Sequence, residues 1–268
     1  MSLGDMKPLH VWPLADRQSL VGVLTDIDDT LTTEGAITAD ALQALSALRE
    51  AGLHVMAVTG RPVGWSEPFA QTWPVQAIVA ENGAVALVRE ADGRLRKLYQ
   101  QDAATRDRNF RRLQDVAHQI VQTVPGAQLA QDSAGRETDI AIDHSEFTQL
   151  PQARIEQVVA MMRARGLHAT VSSIHINGWI GDHDKLSGAR WIVRELLGRD
   201  LDAEITRWAY VGDSTNDERM FAHFPHAVGV ANIQRFASVL QHAPRYVTAG
   251  ERGAGFAQVA RAVLDARA

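Results

Sequence analysis

The sequence predicts an α/β fold, a doubly wound parallel sheet interrupted by an inserted α+β segment. Short apolar runs alternate with helical patterns at the start of the chain, and the same alternation returns after Lys185. Between about residues 89 and 180 the chain instead combines a hairpin pattern with longer helices. Because 268 residues are many for one hydrophobic core, a core with an insertion is expected. The predicted domains are a first core part, an inserted domain and a second core part, at 1–88, 89–180 and 181–268.

The first core part contains three predicted strands separated by helical patterns. Apolar runs at 20–24, 54–58 and 77–80 have the length of buried strands. After the first run, Thr38 is placed to cap a helix with one apolar face, and Gly52 is placed to end it. Strands that alternate with helices pair in parallel, so their carboxyl ends should lie along one edge of the sheet.

The remaining elements follow from the same patterns. The insertion begins with a hairpin, predicted at 84–89 and 95–99, and its order of helices and strands is typical of a separate small α+β layer. Its later elements are a helix that ends at Pro125-Gly126, a strand near 138–142, a helix at 151–165 and extended chain at 168–177. The second core part has a helix through 192–197, strands at 208–211, 227–230 and 245–247, and a final amphipathic helix over 256–264.

Polar residues stand at the ends of the predicted core strands. Asp26 and Asp28 come directly after the first apolar run, where a curled backbone would let the two carboxylates converge. Ligands of open parallel sheets bind in the crevice outside the carboxyl ends of the strands, so polar groups distant in sequence are expected to meet there. The other groups at such positions are Thr59-Gly60-Arg61, Lys185, and Asp213 with Asn216 and Asp217.

The charges of this set predict a bound cation. Two like charges about 4 Å apart repel by roughly 4 kcal/mol at an effective dielectric constant near 20. A cluster of four carboxylates therefore requires compensation, of which Lys185 supplies only part. The chain has no cysteine, so oxygen or imidazole ligands must hold the ion, and Mg²⁺ fits such a site best. The four carboxylates are those of Asp26, Asp28, Asp213 and Asp217.

Composition excludes several other classes of function. The net charge of −5 and the pI near 6.0 argue against a nucleic-acid surface, which is normally basic. No apolar run approaches the roughly 20 residues that cross a bilayer, and the first 19 residues lack the pattern of a signal peptide. We therefore expect a cytoplasmic protein with no nucleic-acid or membrane partner, and the oligomeric state stays open.

The four polar clusters, in this order, resemble the motifs of the haloacid dehalogenase (HAD) superfamily of phosphohydrolases. Those motifs are Asp-x-Asp-x-Thr, a Ser or Thr, a Lys, and Gly-Asp-x-x-x-Asp. The runs at 80–84 and 253–256 further resemble the Cof-like group with a type IIB cap. The resemblance covers nearly the whole chain, and it implies a Rossmann-like core with an inserted α+β cap domain at 89–180.

The resemblance also implies a role for each matched residue. Asp26 matches the nucleophile that forms an aspartyl-phosphate, and Asp28 matches the general acid that later acts as a base. Asp217 matches a group that orients Lys185 or a water on the metal. The implied phosphate-binding residues are Thr59, Gly60, Lys185 and Asn216, and the implied metal ligands are Asp26, the backbone carbonyl of Asp28, and Asp213.

Arg61, Asn82, His175 and Asn177 are candidates for substrate contact. For His175 and Asn177, which lie where the insertion returns to the core, a structural role is the alternative. For Arg61 the structural alternative is an ion pair beside the end of a strand. Asp29 stands where the family often has Gly, and we interpret it as an added acid in the loop.

The expected function is an Mg²⁺-dependent phosphatase that hydrolyses a small phosphorylated metabolite. Members of the resembled group include sucrose-phosphate and mannosyl-3-phosphoglycerate phosphatases, so a sugar phosphate is the expected substrate. One alternative is a phosphomutase, which would use the same aspartyl-phosphate. Another is a non-catalytic phosphometabolite-binding protein, but such a protein would have no need for the proton donor that Asp28 provides.

Overall fold

The computed structural model of the protein describes residues 6–267. Within this range the strands are β1 Lys7–Pro8, β2 Gly22–Thr25, β3 Thr32–Thr33, β4 Ala36–Ile37, β5 His54–Val58, β6 Ala77–Ala80, β7 Val85–Arg89, β8 Leu95–Tyr99, β9 Gln128–Leu129, β10 Asp139–Asp143, β11 His168–Val171, β12 His175–Trp179, β13 Trp208–Gly212, β14 His226–Gly229 and β15 Tyr246–Val247. The α-helices are α1 Leu14–Ser19, α2 Ala39–Glu50, α3 Val63–Thr72, α4 Ala103–Thr123, α5 Gln152–Ala164, α6 Lys185–Leu197, α7 Glu218–His223 and α8 Arg252–Asp265.

Nine strands form one large sheet in the order β1-β15-β14-β13-β2-β5-β6-β7-β8. The first seven strands in this order, β1-β15-β14-β13-β2-β5-β6, pair in parallel with their neighbours. Strands β7 and β8 extend the sheet in antiparallel pairing. Strands β2, β6 and β13 are buried along their whole length, as expected for parallel strands covered on both faces. The predicted α/β fold class is confirmed.

Helices cover the large sheet on both faces. Val23 of β2 packs into a core with α2, α3 and α8, whereas its neighbour Leu24 packs into a core with α6 and α7. Strands β13, β2 and β5 are adjacent in the sheet, so the residues that follow them emerge side by side. This topology brings Asp213, Asp26 and Thr59 to one edge.

A second, four-stranded antiparallel sheet has the order β11-β12-β10-β9. We call residues 103–179, which contain this sheet with α4 and α5, the small layer. Its two helices pack on one face of the sheet through an apolar core that includes Leu113, Ile142, Val158 and Ile176. Alternate residues of β10 and β12 face the other way, and two of them, Asp139 and Asn177, contact Asn82 and Gly60, which follow β6 and β5 of the large sheet.

The hairpin formed by β7 and β8 lies across the predicted start of the insertion. The predicted division after residue 88 assigns 95–99 to the inserted domain. In the structure β7 pairs with β6, and β8 pairs with β7 from Val85↔Tyr99 to Arg89↔Leu95, so both strands belong to the large sheet. The domain division stays a prediction, and this pairing favours a start nearer residue 100, because a boundary at 88/89 would cut a hydrogen-bonded hairpin.

The start of α2 departs from the prediction in its capping. Thr38 stands at the N-cap position as predicted, but its side chain makes no capping hydrogen bond. Its hydroxyl instead packs against Gly253 of α8, which has no side chain to keep it away. Tertiary packing has therefore replaced the local cap.

No helix within residues 6–267 is long and apolar enough to span a membrane.

Candidate active site

Asp26 leaves the end of β2 at the centre of the large sheet. Its backbone N–H donates to the carbonyl of Val211 at 2.8 Å, which continues the pairing of β2 with β13 by one residue. The chain then turns tightly, because the N–H groups of Thr30, Leu31 and Thr32 all donate to the carbonyl of Ile27. Asp26 and Asp28 therefore lie close in sequence but occupy different clusters of side chains.

Lys185 is the cation of the first cluster. Its Nζ donates to Asp26 Oδ1 and to Asp217 Oδ1, each at 2.7 Å, and the lysine side chain is 3% exposed. Burial alone would lower the pKa of Lys185, but Asp217 and Asp26 raise it above its usual value, so the ammonium stays charged. Its position at the first residue of α6 is fixed by a capping box between Asp184 and Ser187.

Both carboxylate oxygens of Asp217, the second acid of this cluster, have hydrogen-bond donors. Its Oδ1 accepts from Lys185 and from the Tyr210 hydroxyl at 2.5 Å, and its Oδ2 accepts from the N–H groups of Asp213 and Ser214 at 3.0 and 3.2 Å. Four donors leave little lone-pair capacity for a metal ion. The geometry therefore agrees with the predicted role of Asp217 in orienting Lys185.

Asp213, the third acid of the cluster, has hydrogen bonds at only one of its two carboxylate oxygens. Its Oδ2 accepts from the amide of Asn232 at 2.9 Å, but its Oδ1 is buried and has no partner among residues 6–267. One oxygen each from Asp26, Asp213 and Asp217 lie within 4.8 Å of one another. Burial raises the pKa of Asp26 to about 8 and raises that of Asp213 well above its usual value, with the neighbouring carboxylates adding to both shifts. An all-oxygen set with one orphaned carboxylate oxygen fits a hard divalent cation.

Asn232 was missed by the sequence analysis. Its amide donates both to Asp213 and to the carbonyl of Asp29 at 3.0 Å, and its oxygen accepts from the N–H of Arg252 at 2.9 Å. It follows β14 by three residues, so its position after a core strand is the same signal that selected the other candidates. Asn232 holds Asp213 in one orientation.

Thr59 and Gly60 follow β5, next to Asp26. Thr59 Oγ1 accepts from the N–H of Arg61 at 3.0 Å, which leaves its own proton free for another acceptor. The carbonyl of Gly60 accepts from Arg136 and from Asn177, both in the small layer, at 3.1 and 3.2 Å. A Cβ at Gly60 would come within 3.2 Å of the Asn82 amide, so a residue without a side chain fits best under these contacts.

Two of the predicted substrate contacts lie in a buried network between the layers. The amides of Asn82 and Asn177 both donate to Asp139 Oδ2, at 3.3 and 3.4 Å. Asp139 in turn pairs with Arg136 at 2.8 Å, and burial raises the pKa of Asp139 to about 7. In this arrangement the two amides join the small layer to the large sheet.

Arg61 is the cation of a second cluster, which includes Asp28. Its Nε donates to both oxygens of Asp28, at 2.9 and 3.0 Å, and its two terminal nitrogens pair with Asp132 at 3.0 Å and Glu146 at 2.7 Å. His175, another predicted substrate contact, lies 2.8 Å from Glu146. The expected convergence of the Asp28 carboxylate with the metal site is therefore not observed, because Arg61 binds that carboxylate. The predicted ligand role of the Asp28 backbone carbonyl stays a prediction.

Two cavities flank these clusters. One of about 470 Å³ borders Asp28 and is lined by three arginines and by residues of the small layer. Another of about 460 Å³ lies beside Lys185 and also borders Asn216. The Asn216 amide oxygen accepts from the Ser214 hydroxyl at 2.8 Å, so this predicted phosphate ligand is held within its own loop. The three arginines of the first cavity are Arg61, Arg235 and Arg252.

Known proteins resemble the chain in sequence and in fold. Residues 23–124 match a family model described as haloacid dehalogenase-like hydrolase. A phosphoglycolate phosphatase of Haloarcula marismortui is 30% identical over 246 residues, which cover 91% of this chain and 97% of the relative. A phosphoglycolate phosphatase of Pyrobaculum neutrophilum is 27% identical over 247 residues, covering 91% and 95%. The X-ray structure of the sucrose-phosphatase of Synechocystis sp. PCC6803, in complex with sucrose and phosphate, has a TM-score of 0.64 at 15% identity, covering 92% and 98%.

These likenesses, together with the fold, show the class of protein. The chain belongs to the haloacid dehalogenase-like hydrolases, as its four motifs predicted. Within that class it is an enzyme, a phosphoric monoester hydrolase. The likeness to the sucrose-phosphatase, at its low identity, concerns the fold alone.

Proposed function

We propose that the enzyme is an Mg²⁺-dependent phosphatase that works through an aspartyl-phosphate on Asp26. The observation that carries the proposal is the first cluster, where buried Asp26 shares Lys185 with Asp217 and lies beside the orphaned oxygen of Asp213. Burial and the neighbouring carboxylates raise the pKa values of Asp26 and Asp213, and a divalent cation would stabilise the ionised form of both. An unpaired buried carboxylate oxygen is uncommon in a purely structural ion-pair network.

The metal would be held by Asp26 and Asp213. Asp217 is excluded from direct ligation by its four hydrogen bonds. A bound Mg²⁺ would neutralise the charge of the phosphoryl group and so allow a carboxylate to approach it. The unpaired oxygen of Asp213 and the all-oxygen donor set are what fit this ion, and a thiolate-binding metal has no ligand in a chain without cysteine.

The proposed reaction has two steps. A carboxylate oxygen of Asp26 attacks phosphorus as the ester P–O bond breaks, and Asp28 gives its proton to the leaving oxygen. Asp28 then takes a proton from a water molecule, whose oxygen attacks the aspartyl-phosphate. Inorganic phosphate leaves and the Asp26 carboxylate is restored. Lys185 and the free hydroxyl proton of Thr59 would hold the phosphoryl oxygens during both steps.

We propose a small phosphorylated hydroxy acid, of the phosphoglycolate type, as the substrate. Its support is the name of the two full-length relatives and the cavity of about 470 Å³ beside Asp28, which is lined by Arg235 and Arg252. Arg252 pairs with Asp29 at 3.0 Å, whereas Arg235 has no ion pair within residues 6–267 and could meet a second anionic group. The sugar phosphate expected from sequence stays the alternative substrate, and the likeness to a sucrose-phosphatase, which concerns the fold alone, does not test it.

The decisive experiment is the Asp26→Asn variant with p-nitrophenyl phosphate and with 2-phosphoglycolate. We expect Mg²⁺-dependent phosphate release to be abolished on both substrates while the circular dichroism spectrum stays that of the parent. Asp115→Asn, which changes an exposed carboxylate on α4, is the matched control and should keep full turnover. Unchanged turnover in Asp26→Asn would disprove the nucleophile assignment. An isomerised phosphorylated product without net phosphate release would indicate a phosphomutase, and no turnover by the parent would indicate a binding protein.

A further inference from the structure

We propose that Arg61 and Glu146 are positioning residues that align Asp28 only when the small layer is seated on the large sheet. The proposal rests on the proposed role of Asp28 as proton donor. Arg61 orients Asp28, and Arg61 is itself held by carboxylates of the small layer.

Arg61 uses different edges of its guanidinium for different partners. Nε faces Asp28, Nη2 donates to Glu146 Oε1 at 2.7 Å, and Nη1 donates to Asp132 at 3.0 Å. A planar group bound at both terminal nitrogens cannot rotate, so its remaining N–H direction is fixed. The ring of Trp65 lies under the guanidinium, 4.7 Å from its central carbon. The direction in which Asp28 is held therefore depends on Glu146 and Asp132.

These two carboxylates belong to the small layer, whereas Arg61 and Asp28 follow strands of the large sheet. Glu146 is itself well fixed. Its loop is anchored by Asp143, which accepts the N–H groups of three successive residues at 2.9 to 3.0 Å, and its carboxylate contacts His175 of β12. The position of Glu146 is thus a property of the whole small layer.

Because Arg61 is buried, the orientation of Asp28 depends on the position of the small layer. The Arg61 side chain is only 4% exposed, and a buried guanidinium needs carboxylate partners to offset its desolvation. If the small layer moved away, Arg61 would lose two of its three carboxylates and would face water with Asp28 alone. Opening would therefore release the orientation of the proposed proton donor as well as admit solvent. This links the closure of the site to its chemistry.

The test compares two substrates that need a proton donor to different degrees. 2-Phosphoglycolate has a poor alkoxide leaving group, whereas p-nitrophenolate leaves with little help. We expect Glu146→Gln to lower kcat/KM for 2-phosphoglycolate about 10-fold and Arg61→Lys about 100-fold, because misalignment removes only part of the roughly 10²- to 10⁴-fold that general acid catalysis is worth. For p-nitrophenyl phosphate both variants should stay within about 3-fold, since this substrate does not use that contribution.

The matched control is Glu137→Gln. Glu137 also joins the small layer to the large sheet, through Lys97 at 2.9 Å and Tyr99 at 2.6 Å, but it does not touch Arg61. It should change kcat/KM for both substrates by the same factor. The combination Arg61→Lys with Glu146→Gln should cost much less than the product of the single effects, because both act through one contact. Thermal unfolding of each variant checks that it is folded.

Asp28→Asn separates the possible failures. If this variant does not discriminate between the two substrates, the proposed role of Asp28 is wrong. If it discriminates but Glu146→Gln and Arg61→Lys do not, the positioning proposal is overturned while the function stands. Equal losses on both substrates in Glu146→Gln, like those in the control, would show that Glu146 only docks the small layer.

Discussion

Two clusters beside the end of β2 each combine one buried cation with three carboxylates, but their charges are balanced differently. Arg61 gives a short hydrogen bond to each of its partners, Asp28, Asp132 and Glu146. Lys185 reaches only Asp26 and Asp217, and leaves Asp213 Oδ1 without a partner within residues 6–267. A guanidinium has five N–H groups in a fixed fork, whereas an ammonium has three donors at one point.

The titration of the carboxylates reflects this difference. In the Arg61 cluster, burial is outweighed by His175 and Arg61, which lower the pKa of Glu146 to about 2. In the Lys185 cluster burial dominates, and the pKa of Asp26 rises to about 8. In the first arrangement each carboxylate is paired with the cation, which suits a structural or positioning task. The second is incomplete, and this is why we assign the metal ion to it.

Removal of Lys185 should have the largest effect on activity and stability. Lys185→Met should abolish turnover and lower the free energy of unfolding by about 3–5 kcal/mol, since it leaves buried carboxylates without their cation. Urea unfolding in EDTA measures the loss. Lys97→Met is the control, because that lysine forms its ion pairs at the surface and should cost no more than about 1 kcal/mol. A comparable cost at both lysines would contradict the picture.

A smaller and opposite effect on stability is expected at Asp213. Asp213→Asn should raise the unfolding midpoint of the metal-free protein. Burial and the neighbouring carboxylates raise the pKa of Asp213, so its ionised form is unfavourable, and the neutral amide avoids that cost. The same variant should lose the stabilisation that Mg²⁺ gives the parent, and with it most of the activity. Asp132→Asn, in the Arg61 cluster, should instead lower the midpoint. A destabilised metal-free Asp213→Asn would show that Asp213 is fully paired.

The most modest prediction concerns pH. In the metal-free protein, the pKa of Asp26 rises from 3.8 to about 8, so the folded state keeps a proton that the unfolded state has lost. This contribution to stability is complete below pH 3.8 and is lost as pH rises through about 8. The lowered pKa of Glu146 acts in the opposite sense, with a contribution present above 4.5 and lost as pH falls through about 2.

Urea unfolding between about pH 5 and about pH 8 measures this fall, and the difference between the parent and Asp26→Asn isolates the Asp26 contribution, because the raised pKa values of Asp139 and Asp213 act in the same sense. Stability should fall with rising pH in EDTA, and both Asp26→Asn and added Mg²⁺ should reduce that fall. A slope that is unchanged in Asp26→Asn would assign the titration to another group.

Sequence patterns predicted most of the large sheet correctly, and packing decided where they failed. The runs at 54–58 and 77–80 match β5 and β6, because buried parallel strands are continuous apolar segments. The capping of α2 was predicted from Thr38 alone, but contact with Gly253 of α8 replaced it. The hairpin of β7 and β8 was found, yet its membership in the large sheet depends on pairing with β6.

The sequence by itself determined that Asp26, Thr59, Lys185, Asp213 and Asp217 belong to one edge of an α/β sheet. The alternation of apolar strands with helices suffices for that, because the carboxyl ends of parallel strands lie along one edge of the sheet. Only the tertiary structure decided which cation each carboxylate meets. Asp28 is directed to Arg61 rather than to the metal cluster by carboxylates from the small layer, more than 100 residues further along the chain in the case of Asp132. Side-chain pairing across layers has no local sequence pattern, since it depends on where two surfaces meet.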